Sequence, residues 1–286
     1  MNLMQRAINH VINMTLLRVF FLFFLITGFD NKKASEETVA FTLFGRKEFV
    51  MGFISAVMFQ RNSGVSCKVL VINDGTLTSF HKWCLSRIGV VTTNSQDSIK
   101  VENAIKTLPN TYKLYKEFIL MKKLVDLHVL SEGCDCLIYF DSDVLFMRAC
   151  HSFSDYVARC KDHQGPMIYF NKDIRHSFVT SHKEIEKEFA LENIKCLNAG
   201  FFVCNQGVVK LELVEEILSN ENFQMWTKNR YWVTEQTIYA ILASQTNINC
   251  KLLPKNFDLQ IPPNLENETI HFVGAIRKHY WRGLLC

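Results

Sequence analysis

The distribution of apolar residues predicts alternating strands and helices in the first half of the chain. Short β-prone apolar runs predict strands, and longer segments with apolar residues every three to four positions predict helices. The predicted strands are 38–44, 67–73, 90–93 and 137–140, and the predicted helices are 48–60, 78–88 and 112–130. Strands separated by helix-length segments are typical of a parallel sheet covered on both faces. We therefore expect an α/β fold with a central, mostly parallel sheet flanked by helices.

The second half of the chain continues this pattern with more polar residues inside it. Further strands are predicted at 166–170 and 196–204, and further helices at 181–189 and 232–242. Thr234 is the expected N-cap of the last helix, because a threonine side chain can accept a hydrogen bond from the first turn. A short β-prone run carries His271 near the C-terminus.

Two carboxylates, Asp141 and Asp143, follow the apolar strand 137–140 and precede more apolar residues. Buried carboxylates are rare unless they are paired or bound to a cation. At the carboxyl end of a strand, where α/β sheets bind ligands, two acids two residues apart can share a divalent ion. Such triplets are common in loops, but apolar residues on both sides are not typical of a solvated acidic turn. Removing Asp143 is expected to relieve repulsion between two buried like charges.

Other polar residues in apolar surroundings indicate either a functional role or an ordinary structural one. Asn198 and Gly200 lie inside the strand 196–204. They mark either the close approach of a ligand or a turn that enters an ordinary core strand. Glu235 and Gln236 open a helix that requires only a cap there. His271 is either a core histidine or a third metal ligand, since imidazole suits Mn²⁺ better than Mg²⁺.

Composition narrows the function classes. The chain has 48% apolar and 21% charged residues, which are values of a globular protein. The 32 basic and 28 acidic residues leave a net charge of +4, too small and scattered for a nucleic-acid surface, so we expect no nucleic-acid partner. No glycine-rich phosphate-loop motif is present.

The ten cysteines form no zinc-binding pattern in the sequence. There is no C-x-x-C, and Cys134 and Cys136 lack the second pair that a zinc site needs. Cys196 and other cysteines beside apolar runs are interpreted as small hydrophobic residues. Reduced thiols and a protein that faces the cytosol are expected, with a secretory compartment as the alternative.

The first 34 residues are predicted to be an apolar segment and a linker, followed by one domain at 35–286. The uninterrupted apolar run from Val19 to Ile26 is shorter than the roughly 20 residues that span a bilayer. The segment is an amphipathic helix on a membrane, a marginal signal-anchor, or a helix packed on the domain. We expect membrane contact through residues 1–29, at the cytoplasmic face, or in the secretory-pathway lumen with a type II anchor. A variant that starts near Lys33 is expected to stay folded.

Four motifs occur together in a known order. They are D-x-D at Asp141 and Asp143, N-A-G-x-F at 198–202, an acid-Gln pair at 235–236, and H-F-x-G with basic residues at 271–278. In this order they resemble the nucleotide-sugar glycosyltransferases of the A-type fold. The closest resemblance is to family 8, which includes glycogenin and bacterial lipopolysaccharide galactosyltransferases. The resemblance covers roughly residues 38–281 and implies a single Rossmann-like domain.

The resemblance assigns expected roles to individual residues. The implied metal ligands, for Mn²⁺ or Mg²⁺, are Asp141, Asp143 and His271. The implied catalytic residues, around the sugar, are Glu235, Gln236 and Asn198. The implied contacts with the nucleotide-diphosphate sugar are Asp74, Lys116, Gly200, Gly274, Arg277 and Lys278. Two positions depart from the family: Glu235 stands where an aspartate is usual, and Arg277 or Lys278 replaces the terminal-motif lysine.

The implied function is metal-dependent transfer of a hexose from a nucleotide-diphosphate sugar to a glycan, lipid-linked or protein acceptor, with retention of anomeric configuration. Two alternatives stay open at this point. One is a nucleotidyltransferase that uses the same metal and diphosphate chemistry. The other is a catalytically silent protein that binds a sugar nucleotide.

Overall fold

The computed structural model describes residues 15, 18–26, 35–150, 152–257, 266–273, 277, 280 and 284. The predictions for Gly274 and Lys278 lie outside these residues. The other predicted site residues all lie within the described part of the chain.

The strands form two sheets. They are β1 (Ser35–Phe44), β2 (Cys67–Asn73), β3 (Val91–Thr92), β4 (Cys136–Phe140), β5 (Val144–Phe146), β6 (Met167–Lys172), β7 (Leu197–Asn205), β8 (Asn249–Leu252) and β9 (Thr269–His271). The larger sheet has the order β3-β2-β1-β4-β7-β6-β8, and β5 pairs with β9 in a small antiparallel sheet. Strand β7 runs antiparallel to β4 and β6, while the other pairs in the large sheet are parallel. The prediction of a mostly parallel central sheet is confirmed.

The helices cover both faces of the large sheet. They are α1 (Phe49–Asn62), α2 (Ser79–Arg87), α3 (Ser95–Ile105), α4 (Pro109–Glu117), α5 (Met121–Leu130), α6 (Phe153–Asp162), α7 (His182–Glu188), α8 (Leu211–Ser219), α9 (Glu221–Thr227) and α10 (Thr234–Ala243). Short 3₁₀ helices occur at Tyr231–Val233 and Lys255–Phe257. Alternate residues of β4 belong to the two hydrophobic clusters: Ile138 packs on the side of α1, and Tyr139 on the side of α5.

Two predicted helix boundaries are wrong. The segment 112–130 forms two helices, because Phe118 adopts an extended conformation after Glu117 and the chain turns before Met121. Thr234 is the first helical residue of α10, and Val233, at the end of a 3₁₀ helix, is the N-cap. The 3₁₀ turn leads directly into α10, so the expected side-chain cap at Thr234 is absent.

Residues 18–26 are helical, and one side of this segment packs on the domain. Phe21 and Phe24 are buried; the ring of Phe21 lies 4.8 Å from that of Phe53, and the guanidinium of Arg61 lies 4.7 Å from the Phe24 ring. The exposed apolar residues of the segment are Val19, Leu22, Phe23 and Ile26. In the described part of the chain, no helix combines the length and the apolar character needed to cross a membrane.

The topology brings the polar strand ends to one edge of the sheet. Strands β1, β2 and β4 are parallel, so their carboxyl ends meet at that edge. Strand β7 is antiparallel to β4 and begins there, and the backbone N–H of Asp141 donates to the carbonyl of Gly200 at 2.7 Å. The β5–β9 pairing sets Val144 opposite His271. Sequence-distant motifs therefore converge beside β4.

Candidate active site

Asp141, Asp143 and His271 lie together at the end of β4. Asp141 and Asp143 occupy the short turn between β4 and β5, and His271 is the last residue of β9. The backbone N–H of Phe272 donates to the carbonyl of Asp143 at 2.9 Å, which fixes β9 against this turn. The predicted D-x-D and H-F-x-G motifs are thus parts of one site.

The three side chains form a compact donor set. One ligand atom from each lies within 4.8 Å of the others. His271 Nε2 is 3.5 Å from Asp141 Oδ2 and 3.1 Å from Asp143 Oδ1. Asp143 and His271 are buried, whereas the Asp141 side chain is 31% exposed. Two carboxylates and an imidazole at this spacing fit a divalent cation such as Mn²⁺.

The ring of His271 provides an independent test of this fit. Both ring nitrogens are buried: Nδ1 has no hydrogen-bond partner among the described residues, and Nε2 faces the carboxylate oxygens of Asp141 and Asp143 without a well-aligned hydrogen bond. Leaving a buried polar group unpaired costs free energy, so native proteins usually pair it or bind it to an ion. A cation held between His271 and the two carboxylates would satisfy Nε2. The residues present therefore fit the implied metal.

Gly200 makes room for two of these side chains. A Cβ atom at this position would lie 2.0 Å from Cε1 of His271 and 2.8 Å from Oδ2 of Asp141. Both distances are shorter than any ordinary van der Waals contact. The glycine expected to contact the nucleotide sugar therefore lies directly against the candidate metal ligands.

Lys123 and Tyr139 fix the side chain of Asp141 through hydrogen bonds. Lys123 Nζ donates to Asp141 Oδ1 at 3.1 Å, and the Tyr139 hydroxyl donates to the same atom at 2.6 Å. The Lys123 ammonium also lies 4.6 Å from the centre of the Tyr139 ring. The sequence analysis did not identify either residue. Two sequence signals point to them. Lys123 is a lysine among the buried apolar positions of α5, and Tyr139 lies two residues before Asp141, on the same face of the strand.

Arg277 pairs with Asp143. Its Nε and one terminal nitrogen donate to Asp143 Oδ2 at 2.8 and 2.5 Å. Burial raises the pKa of Asp143, but His271 and Arg277 lower it by more, so the pKa lies below its usual value. The Arg277 side chain is 50% exposed. Arg277, the predicted contact of the diphosphate, is therefore half-exposed and binds the carboxylate of Asp143.

Glu235 lies next to Lys123, the lysine that binds Asp141. It is buried at the start of α10, and its Oε1 is 3.8 Å from Lys123 Nζ. Its Oε2 is buried without a hydrogen-bond partner among the described residues. Burial raises the pKa of Glu235 to about 7; Lys123 opposes the shift, and the charge of Asp141 adds to it. Lys123 therefore links Glu235 to Asp141.

Gln236 and Asn198 hold the backbone around Gly200. Gln236 Oε1 accepts from the N–H of Ala199 at 3.3 Å, and its amide group donates to Asp173 Oδ2 at 3.1 Å and to the Ser177 carbonyl at 2.9 Å. Asn198 Oδ1 accepts from the N–H of Gly200 at 2.8 Å. Both residues thus hold the strand segment that contains Gly200, and Gly200 lies against the donor set.

Asp74 and Lys116 line one cavity at the same sheet edge. This cavity has a volume of about 310 Å³ and is lined by Asp74, Ser98, Glu102, Tyr115, Lys116, Glu117, Ile119 and Lys122. A Cβ at Gly45 would lie 1.8 Å from Asp74 Oδ2, so this glycine at the end of β1 makes room for the carboxylate. Lys116 is paired with Glu102. Lys122 lines the cavity while the next residue, Lys123, contacts Asp141, so α5 connects the cavity to the metal-ligand candidates.

Comparison with solved structures identifies the fold. Mouse xyloside xylosyltransferase 1 superposes with a TM-score of 0.54 at 10% identity, covering 82% of this chain and 96% of that one. The bifunctional glycosyltransferase WbbM superposes with a TM-score of 0.52 at 13% identity. That match covers 86% of this chain, which spans only 47% of WbbM.

Neither a protein-family model nor a curated protein matches the sequence. At 10–13% identity the structural likeness establishes the fold, and the closer relation to family 8 stays a prediction. The sheet order, the helices on both faces and these superpositions lead to one conclusion. The chain has the glycosyltransferase A-type fold.

Proposed function

We propose that the protein is a metal-dependent glycosyltransferase that moves a hexose from a nucleotide-diphosphate sugar to an acceptor. The observation that carries this proposal is the compact donor set of Asp141, Asp143 and His271, in which the buried His271 Nε2 faces both carboxylates. A buried imidazole whose Nε2 faces two carboxylates, with Nδ1 lacking a hydrogen-bond partner among the described residues, has little use in a protein that only needs a stable core.

In this proposal, Asp141, Asp143 and His271 hold a divalent cation. When bound, the cation supplies positive charge that stabilises the diphosphate leaving group. Arg277 is half-exposed beside Asp143, and the guanidinium N–H groups that do not bind Asp143 can donate to phosphate oxygens. The nucleoside occupies the cavity that contains Asp74 and Lys116, whose volume of about 310 Å³ lies at the lower end of the range for ligand pockets.

The sugar then lies between the diphosphate and the segment that contains Asn198 and Gly200. Gln236 bridges this segment to Asp173, so it keeps the floor of the sugar pocket fixed. An amide is a weak nucleophile, and this one is held by hydrogen bonds. We therefore propose retention: the bond between the anomeric carbon and the diphosphate oxygen breaks, the acceptor oxygen bonds to the same face of that carbon, and the acceptor hydroxyl proton passes to the departing diphosphate. This stereochemistry follows from the family 8 resemblance.

The acceptor is a glycan, a lipid-linked sugar or a protein. We also propose that residues 1–29 contact a membrane surface. It is supported by the exposed apolar side chains of Leu22, Phe23 and Ile26, which lie opposite the face that packs on the domain. A helix with one apolar face on water can lie in a membrane interface.

The test is nucleotide release from a panel of nucleotide sugars with Mn²⁺, with and without candidate acceptors. Release that requires Mn²⁺ and is lost in Asp143→Ala is expected. The control is Asp135→Ala, which changes an exposed acid just before β4 and should leave turnover unchanged.

Three results would contradict the proposal in different ways. Saturable binding of nucleotide sugars without turnover would indicate the silent binding protein. Formation of a nucleotide sugar from a nucleoside triphosphate and a sugar phosphate would indicate a nucleotidyltransferase. Turnover that survives chelation of all divalent metal would overturn the role of the donor set.

A further inference from the structure

His176, His182 and Cys196 form a second cluster of metal-ligating side chains, separate from Asp141. His176 follows β6, His182 is the first residue of α7, and Cys196 directly precedes β7. One ligand atom from each lies within 4.8 Å of the others. None of the three belongs to the four motifs on which the proposed function rests. From the sequence alone, Cys196 is expected to be a small hydrophobic residue.

We propose that His176, His182 and Cys196 bind a thiophilic divalent metal ion of the Zn²⁺ class. This site is distinct from the Mn²⁺-type site at Asp141. Two imidazoles and a thiolate are donors that select zinc over magnesium or calcium. The proposal does not depend on the glycosyltransferase activity.

The distance between the thiol and one imidazole of the cluster suits tetrahedral coordination. Cys196 Sγ lies 3.4 Å from His176 Nδ1. With Zn–S bonds of about 2.3 Å and Zn–N bonds of about 2.0 Å, a tetrahedral ion sets these two atoms about 3.6 Å apart. The sulfur and nitrogen are therefore already at the separation that zinc requires. The three segments need no large movement to bind it.

The second observation is the ring of His182. Its Nε2 atom is buried and has no hydrogen-bond partner among the described residues. The ring packs against Phe178 at 4.8 Å and against His176 at 5.0 Å between centroids, so packing fixes its orientation. Burial lowers the pKa of His182, and the neighbouring His176 lowers it further, which favours the neutral imidazole that a metal needs.

The two histidines of the cluster border a cavity. A cavity of about 630 Å³ is lined by His176, Val179, Thr180, Ser181, His182 and Arg230. Water from this cavity can complete the tetrahedron. No fourth histidine, cysteine or acid among the described residues joins the group.

An ion here would fix the backbone beside Gln236. The N–H of Asp173 donates to the Cys196 carbonyl at 2.7 Å, and Asp173 Oδ2 accepts from the N–H of Ser177 at 2.5 Å and from the amide of Gln236 at 3.1 Å. The metal would cross-link residues 176 and 182 to the start of β7. It would therefore keep the partners of Gln236 in place from a site that does not contact the sugar.

Cobalt substitution tests the site directly. The full-length protein is stripped of metal and titrated with Co²⁺, and the absorption spectrum is recorded. A saturable sulfur-to-cobalt charge-transfer band is expected in the wild type, and in Asp143→Ala, whose other metal site is disabled, it should saturate at one ion per chain. Cys196→Ser should abolish the band, and His176→Asn and His182→Gln should weaken Co²⁺ binding by about tenfold or more. Asparagine is chosen because residue 176 has a φ of +50°, which asparagine tolerates.

Two controls separate this site from the rest of the protein. Cys250→Ser removes a partly buried cysteine on β8 that belongs to neither cluster, and it should keep the band. Asp143→Ala should also keep it, because the Asp141 cluster contains no sulfur. Circular dichroism of the metal-free variants shows whether each is folded.

The proposal is overturned if the folded wild-type protein gives no charge-transfer band, or if Cys196→Ser retains it. If a ligand variant does not fold, the wild type still provides a test. Zn²⁺ should raise the melting temperature of the wild type and of Cys250→Ser. No rise in the wild type would contradict the site.

Discussion

Gly200 lies so close to His271 that any Cβ at this position would be 2.0 Å from Cε1 and 2.6 Å from Nδ1 of the imidazole. The backbone here is an ordinary part of β7, so the glycine is required for space. Asn198 fixes the same peptide through its bond to the Gly200 N–H. Two motifs that are separate in the sequence, N-A-G and H-F-x-G, are thus physically one unit.

The first prediction is that Gly200→Ala displaces His271 and weakens Mn²⁺ binding by about tenfold or more. The methyl group cannot coexist with the imidazole in its present place, so either the ring or β7 must move. Isothermal titration with Mn²⁺ measures the effect. Gly165→Asn is the control: an added Cβ there meets nothing within 4 Å, the φ of +95° is strained for any side chain but least so for asparagine, and Mn²⁺ binding should be normal. An unchanged affinity in Gly200→Ala would remove His271 from the ligand set.

The second prediction concerns Asp143→Ala. We expect this variant to lose Mn²⁺-dependent turnover while remaining folded. The sequence alone predicts that removing one of two buried like charges stabilises the metal-free protein. The structure reverses that expectation, because Asp143 lies beside His271 and accepts two hydrogen bonds from Arg277.

Losing these charge-assisted contacts should lower the free energy of unfolding of the metal-free protein by about 1–3 kcal/mol. Because Arg277 is half-exposed and can turn to water, the loss should stay below that of a fully buried pair. Chemical denaturation of chelator-treated protein provides the measurement. A gain in stability would show that the repulsion between the carboxylates outweighs their pairing.

The third prediction is a pH dependence that arises from Glu235. Its pKa is raised from 4.5 to about 7, so the folded protein binds this proton more tightly than the unfolded chain does. The stability that this proton provides is complete below pH 4.5 and is lost as pH rises through about 7. Each unit of pKa shift corresponds to about 1.4 kcal/mol.

Glu235→Gln keeps the shape of the side chain and cannot ionise. In metal-free protein, its free energy of unfolding should rise relative to the wild type as pH increases from 4.5 to about 7. Glu212→Gln, which changes an exposed acid on α8, should follow the wild type at every pH. Parallel curves for the wild type and Glu235→Gln would show that Glu235 titrates at its ordinary pKa.

The site motifs were predictable from sequence because the relevant signals are local. Asp141 and Asp143 are conspicuous as acids between apolar runs, and Gly200 as a glycine inside a buried strand. The order of strands and helices also follows from local periodicity, which led to the correct fold class.

Contacts between distant segments were not predictable in this way. Lys123 is separated from Asp141 by 18 positions and from Glu235 by 112, and it meets both only after α5 and α10 have packed on the sheet. The thiol of Cys196 meets two histidines for the same reason. The break in the helix 112–130 depends on Phe118, whose extended backbone no periodicity reports.

The fourth prediction concerns the N-terminal segment. The sequence predicts that a variant starting near Lys33 stays folded and active. The structure indicates that truncation should lower the stability of the fold, because Phe21 and Phe24 are buried against the domain. Burying a phenylalanine stabilises a fold by about 1.5–3 kcal/mol. The truncated protein should therefore fold, hydrolyse donor and melt several degrees lower than the full chain.

A matched pair of point variants checks the packing without truncation. Phe21→Ser, on the buried face, should lower the melting temperature measured by differential scanning calorimetry. Phe23→Ser, whose side chain is 53% exposed, should leave it nearly unchanged. Equal melting temperatures for both variants would show that the segment does not pack on the domain.

The last prediction separates the chemical step from donor binding. If Gln236 lies beneath the anomeric carbon, Gln236→Ala should lower kcat by at least about tenfold, or about 1.4 kcal/mol of barrier. The Kd of the nucleotide sugar should change little, because charge on the sugar develops only in the transition state. The amide also fixes the N–H of Ala199, so its loss loosens the pocket at the reacting sugar.

Arg277→Ala and Lys278→Ala should behave differently from Gln236→Ala. The one whose side chain contacts the diphosphate should raise the Kd of a nucleoside diphosphate as well as lower kcat, and the larger effect identifies it. Gln96→Ala, an exposed glutamine on α3, is the control and should match the wild type. Presteady-state turnover and equilibrium titration together give both quantities. Normal turnover in Gln236→Ala would remove the start of α10 from the active site, and with it one of the four motifs on which the proposed function depends.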